Sequence, residues 1–194
     1  MEEHIRAHML EKILAAPLYM EPFPHMIVSD IWPEDIYEQI LAENPFILNS
    51  GEPWHKPPHP YAARTQFSVV DWTSQSTGAH ALVPPPFSVF WEKISAALVG
   101  NKFWAKLLYQ KFEVYFQLRF GNLMCQDNRW DTPLFGLYMF LQQHKQGYML
   151  GPHTDVPSRI ATSIFSFAKD NNHLNLGTDI LVPDDPLRRC EGKR

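Results

Sequence analysis

The spacing of apolar residues changes along this chain, and the change limits the folds that it can adopt. Over residues 2–16 the apolar side chains recur every three to four positions, as a helix with one buried face requires. The residues on that face are Ile5, Met9, Ile13 and Leu14. From Val114 onward, short apolar segments alternate with turn residues, which is typical of antiparallel strands. The sequence therefore predicts an α+β fold in which helices come first and a sheet follows.

The same patterns predict the individual elements. Helices are expected over four segments, residues 2–16, 30–43, 87–98 and 102–112. Strands are expected over two early segments and four later ones, residues 25–28, 66–70, 135–143, 148–155, 159–167 and 178–182. We expect one domain over residues 1–194, with a mainly helical part over residues 1–113 and a sheet over residues 114–194.

Composition excludes several classes of protein. The chain has 194 residues, of which 45% are hydrophobic and 20% charged, so it can bury a core and is not a disordered or coiled-coil protein. Its formal net charge is -4, so we expect neither nucleic acid nor a membrane surface as a partner. Cys125 and Cys190 are far apart, and the N-terminus is acidic. These features predict a protein of a reducing compartment, with a cytoplasmic location.

The segment Gly147-Tyr148-Met149-Leu150-Gly151-Pro152-His153-Thr154-Asp155 bears the residues most indicative of chemistry. In an extended backbone, side chains two positions apart point to the same side, so His153 and Asp155 project together. An imidazole and a carboxylate are two of the three ligands in the facial triad that binds Fe(II). Such a pair is also common by chance, as a surface histidine beside an aspartate that caps a turn.

The residues around this pair favour the metal interpretation. The segment 147–186 reads GYMLGPHTDVPSRIATSIFSFAKDNNHLNLGTDILVPDDP and resembles the Fe(II)- and 2-oxoglutarate-dependent oxygenases, in particular a bacterial branch with a Gly-Tyr-x-Leu-Gly-Pro-His-Thr-Asp motif. The step Leu176-Gly177-Thr178 and the opening Pro22-Phe23-Pro24-His25 are also similar to that branch.

The resemblance implies a fold and an activity. The fold is a double-stranded β-helix, a jelly-roll or cupin-like barrel of two sheets preceded by packing helices. The activity is that of a dioxygenase, in most cases a hydroxylase, with His153 and Asp155 as metal ligands. The cofactors implied are Fe(II), with 2-oxoglutarate and O2 as co-substrates and ascorbate as an accompanying reductant. The substrate, a small molecule or a protein side chain, is not indicated.

The chain departs from the family near its end. His173 is the only histidine after Asp155, and it lies in a polar turn, whereas the family places its second histidine several strands later. The late arginines Arg188, Arg189 and Arg194 lie where a clamp for 2-oxoglutarate is not expected. We therefore expect the late strands, the distal histidine and the 2-oxoglutarate arginine to be missing. Either the chain is a fragment or truncated product, or the site is completed in another way.

Three further residues are candidates for the site. Gln143 and Tyr148 are expected near the cofactor, and Arg159 near an acidic substrate. Each also has an ordinary structural interpretation: a solvated glutamine at a strand end, a packing aromatic ring, and an exposed arginine at a strand start.

Two alternatives to an active oxygenase remain. The first is an inactive fragment or a non-catalytic binding module that keeps the His-x-Asp half of the metal site, with unpaired sheet edges through which copies can associate. The second is a hydrolase with a His-Asp dyad, which is weaker because no Ser or Cys lies in a recognisable nucleophile elbow.

Overall fold

Helices and a small antiparallel sheet make up the regular structure of this protein. The computed structural model describes residues 1–48, 52–53, 63–69, 82–121, 137–155, 159–168, 177–182 and 184–185. The helices in these ranges are α1 (Glu2–Ala15), α2 (Glu34–Ala42), α3 (Ser88–Val99), α4 (Phe103–Lys111) and α5 (Glu113–Phe120). The strands are β1 (Glu52–Pro53), β2 (Arg64–Ser68) and β3 (Phe140–His144), and β2 lies between the other two. This mixture confirms the α+β class. Among the described helices, none has both the length and the apolar character needed to cross a membrane.

Helix α1 follows the predicted periodicity. Ile5, Met9 and Ile13 are buried, and the helix packs against α3 and α4. Glu2 and Glu3 occupy its first turn, where a carboxylate interacts favourably with the helix dipole. The expectation for Leu14 is wrong, because its side chain is 43% exposed. It lies one position beyond Ile13, which turns it about 100° away from the buried face.

The corner between α3 and α4 is held by one side chain of α1. The guanidinium of Arg6 donates hydrogen bonds to the carbonyl oxygens of Ala96, Ala97 and Gly100, at 2.6, 2.8 and 3.3 Å. Ala96 and Ala97 lie in the last turn of α3, and Gly100 follows that helix directly, so the guanidinium adds a side-chain donor to carbonyls at the negative end of the helix dipole. The predicted break between the two helices is confirmed, since Asn101 adopts a positive φ of 53° there.

Strands β2 and β3 pair in an antiparallel register in which Phe67 lies opposite Leu141 and Arg64 opposite His144. Phe67 and Leu141 are buried in the core that the helices also line, and the Phe67 ring lies 5.0 Å from that of Phe46. This pairing confirms strands near the expected residues 66–70 and 135–143, of which residues 70 and 135–136 lie outside the described ranges.

Several predicted strands are wrong. Residues 114–120, which were expected to open the sheet part of the chain, belong instead to helix α5, where Tyr115 and Phe116 donate backbone hydrogen bonds to the carbonyl of Phe112. Of residues 25–28, only His25 pairs, in a single bridge with Tyr19. In the described parts of the later segments, residues 148–155, 159–167 and 178–182, no strand is formed. An extended segment becomes a strand only when a neighbour satisfies its backbone groups.

Candidate functional site

The His153–Asp155 pair follows β3 after a tight turn. Tyr148 donates a backbone hydrogen bond to the carbonyl of Lys145 at 3.0 Å, and Gly147 has a φ of 87°. Glycine adopts a φ of this size without the steric cost that a Cβ atom imposes, which explains its place in this turn. A turn over residues 145–148 therefore ends β3, although the segment that follows it, expected as a strand over residues 148–155, does not pair with β3.

The structure brings His153 and Asp155 together. Nε2 of His153 lies 3.9 Å from Oδ1 of Asp155. The other ring nitrogen, Nδ1, lies 2.9 Å from the carbonyl oxygen of Gly151. Because a carbonyl oxygen only accepts hydrogen bonds, Nδ1 carries the proton and donates it, and in the neutral ring Nε2 keeps its lone pair. Histidines that bind metal ions are commonly held by such a hydrogen bond from the second ring nitrogen.

Asp155 is held by two side chains that follow it in the sequence. Arg159 donates from Nη1 to Oδ1 at 2.8 Å, and Thr162 donates from Oγ1 to Oδ2 at 2.6 Å. Each carboxylate oxygen therefore accepts a hydrogen bond within the segment 155–162. Arg159 was a candidate contact for an acidic substrate, and in this structure its guanidinium binds Asp155.

The donor set fits part of a ferrous site. An imidazole nitrogen and a carboxylate oxygen are ligands that Fe(II) accepts, and adjacent ligands about 2.1 Å from an ion lie about 3 Å apart. The observed 3.9 Å therefore has to shorten by about 1 Å, a change that a small side-chain rotation supplies. In the described part of the chain, no group of three or more His, Cys, Asp or Glu residues is arranged to hold a metal ion. His173 lies outside the described residues.

Tyr148 forms a cluster with Arg64 and His144 at the end of the sheet, and the sequence did not indicate this cluster. Its hydroxyl accepts a hydrogen bond from Nη1 of Arg64 at 3.1 Å, and its ring stacks on that of His144 at 4.1 Å. Burial lowers the pKa of His144, and the positive charge of Arg64 lowers it further. The cluster therefore favours a neutral imidazole beside a buried cation.

Polar side chains are buried on one face of β2. Arg64, Gln66 and Ser68 alternate with Thr65 and Phe67, and each of the three is at most 8% exposed. Alternation along a strand places these three on the face opposite Phe67. The sequence carried little signal for this face, because four of the five residues of β2 are polar and a polar position on a strand is ordinarily assigned to solvent.

Gln143 and Tyr148, which were predicted to contact the same cofactor, are associated with opposite faces of β3. Gln143 pairs with Thr65 and shares its face with Leu141, which is buried in the core. Tyr148 stacks on His144, which lies on the other face. A single ligand on one side of the sheet therefore does not reach both side chains directly.

The segment that carries Arg159 and Thr162 is attached to the helices. Nε1 of Trp104 donates to Oγ of Ser163 at 3.0 Å. The Phe165 ring lies 5.4 Å from Trp32 and 5.3 Å from Trp104. These contacts attach the segment to α4 and to the residues before α2.

No protein-family model, curated protein or solved structure matches this chain in the three comparisons.

Proposed function

We propose that this chain is an Fe(II)- and 2-oxoglutarate-dependent dioxygenase, acting as a hydroxylase, with His153 and Asp155 as ligands of the metal. The observation that carries the proposal is the 3.9 Å approach of His153 Nε2 to Asp155 Oδ1, with Nδ1 bonded to the Gly151 carbonyl. The resemblance of residues 147–186 to the oxygenase motif supports it. When bound, the ion supplies the activation of O2 that is coupled to oxidation of 2-oxoglutarate.

The residues of this chain orient the two ligands. The Gly151 carbonyl fixes the protonated nitrogen of His153, so that Nε2 presents its lone pair toward Asp155. Thr162 holds the second oxygen of Asp155, which limits rotation of the carboxylate. The first oxygen, Oδ1, is the one that faces His153.

The double-stranded β-helix is part of the same proposal. Its support is the antiparallel sheet of β1, β2 and β3 and the buried polar face of β2, since the interior of such a barrel holds polar groups for a cofactor. A cytoplasmic location, a small-molecule or protein substrate, and association of copies through sheet edges remain predictions.

Anaerobic titration with Fe(II) tests the metal ligands. The native chain is expected to bind the ion, and Asp155→Ala or His153→Ala is expected to weaken binding at least 100-fold, because each removes a direct ligand. Asp179→Ala is the matched control, since Asp179 is an exposed carboxylate of a different segment. Unchanged affinity in Asp155→Ala contradicts the proposal. Formation of succinate from 2-oxoglutarate in the presence of Fe(II), ascorbate and O2 then tests the reaction.

A non-catalytic binding module or inactive fragment is the second candidate. It is favoured by the engagement of both Asp155 oxygens by Arg159 and Thr162, and by the lack of a third ligand among the described residues. This candidate predicts metal binding without succinate formation. The same titration and turnover assay therefore separate the two functions.

A further inference from the structure

Arg159, a cation, and His153, a candidate metal ligand, both lie near the same oxygen of Asp155. Nη1 of Arg159 is 2.8 Å from Oδ1, whereas Nε2 of His153 is 3.9 Å from it. Thr162 binds the other oxygen, Oδ2. The guanidinium therefore occupies the oxygen that a metal ion shared with His153 has to use.

We propose that Arg159 controls metal binding at this site, holding Asp155 Oδ1 in the metal-free chain and withdrawing when an ion binds. This inference rests on the proposed function, because it requires His153 and Asp155 to be metal ligands. An ion about 2 Å from Oδ1 stands only about 4 to 5 Å from a guanidinium bonded to the same oxygen, so the two positive charges repel. Arginine keeps its charge at every accessible pH, so deprotonation does not relieve this repulsion.

The structure allows Arg159 to withdraw while Asp155 stays in place. The Arg159 side chain is 54% exposed, and that of Asp155 is 31% exposed. A largely exposed ion pair contributes little free energy, so a divalent ion is able to displace it. The hydrogen bond from Thr162 to Oδ2 does not involve the contested oxygen and is able to persist. Arg159 is thus a regulatory side chain, whereas Thr162 is a positioning one.

The affinity for Mn(II) alone, measured by electron paramagnetic resonance at fixed pH and ionic strength, tests this inference. Arg159→Gln is expected to bind Mn(II) about fivefold more tightly than the native chain, because the ion no longer has to displace an exposed ion pair. Arg159→Lys keeps the positive charge and is expected to remain within about threefold of the native affinity. Thr162→Val, which removes the hydrogen bond to Oδ2, is expected not to tighten binding.

The outcomes distinguish this inference from the function on which it rests. Tighter binding in Arg159→Gln, lost again when Asp155→Asn is added, supports both. Equal or weaker binding in Arg159→Gln, with Asp155 still required, overturns the role of Arg159 and leaves the metal site. If neither the native chain nor Arg159→Gln binds Mn(II), both the inference and the metal site are overturned. The same holds if Asp155→Asn leaves the affinity for Mn(II) unchanged.

Discussion

Tyr37 allows a direct test of how the segment carrying Arg159 and Thr162 is held on the helices. Its hydroxyl donates to the carbonyl oxygen of Ala168 at 2.7 Å and accepts from the backbone N–H of the same residue at 3.0 Å. The change Tyr37→Phe removes both hydrogen bonds. It keeps the ring that lies 6.2 Å from Phe167, so the apolar contact is largely preserved.

The expected magnitude follows from these two hydrogen bonds. A typical hydrogen bond contributes about 0.5 to 1.5 kcal/mol net, so two contribute about 1 to 3 kcal/mol. Both lie at an exposed position, where water replaces lost partners, which favours the lower part of that range. We expect the docking of this segment to weaken by about 1 to 2 kcal/mol, equivalent to a factor of about 5 to 30 in its opening equilibrium.

Hydrogen exchange at the Ala168 amide is the appropriate measurement. Its exchange is expected to accelerate by at least about 5-fold in Tyr37→Phe, because the amide loses its acceptor and the weakened docking also opens the segment to solvent. The amide of Trp91, which donates to the Phe87 carbonyl in α3, serves as the control and is expected to keep its rate. An unchanged rate at Ala168 refutes the docking role of Tyr37. Equal acceleration at Trp91 shows instead that the substitution destabilises the whole fold.

Two further predictions concern the core and the sheet. Ile94→Ala is expected to lower the free energy of unfolding, measured in urea, by about 2 to 5 kcal/mol, because Ile94 is fully buried. Leu118→Ala, on the exposed face of α5, is the control and is expected to change it by less than about 0.5 kcal/mol. Similar losses in both variants would contradict the assigned core. Burial and the charge of Arg64 hold the pKa of His144 in the folded chain below its ordinary value of 6.5. As the pH falls through 6.5, the unfolded chain takes up a proton that the folded chain resists, so stability decreases. Urea unfolding at several pH values is expected to show that His144→Gln loses less free energy of unfolding below pH 6.5 than the native chain does. The same pH dependence in both proteins would argue against burial of this imidazole.

The helices were predictable where their periodicity reflects the core. The buried face of α1 and the break between α3 and α4 follow from local spacing and from Gly100-Asn101, which a sequence displays directly. Residues 114–120 were assigned to the sheet part of the chain, whereas they form helix α5. Val114 and Phe116 are of residue types enriched in strands, a preference that tertiary context overrides here. The backbone N–H groups of Tyr115 and Phe116 both donate to the carbonyl of Phe112, the residue between α4 and α5.

The candidate site was predictable only in part. Proximity of His153 and Asp155 follows from their separation by two positions, and the structure brings the two side chains together. The association of Tyr148 with Arg64 was not predictable, because 84 positions separate them in the chain. The burial of Arg64 also depends on what covers its face of the sheet, which no local pattern specifies.

The sequence by itself determined which residues share a face of a helix and which lie two positions apart, because the backbone repeat sets both. It thereby determined the α+β class and the proximity of an imidazole to a carboxylate. The tertiary structure alone decided the partners of those groups: Arg159 and Thr162 on Asp155, and helices rather than strands beneath residues 159–168. The physical reason is that strand pairing, burial and charge pairing depend on groups brought together by folding, and their positions in the sequence do not specify their neighbours in space.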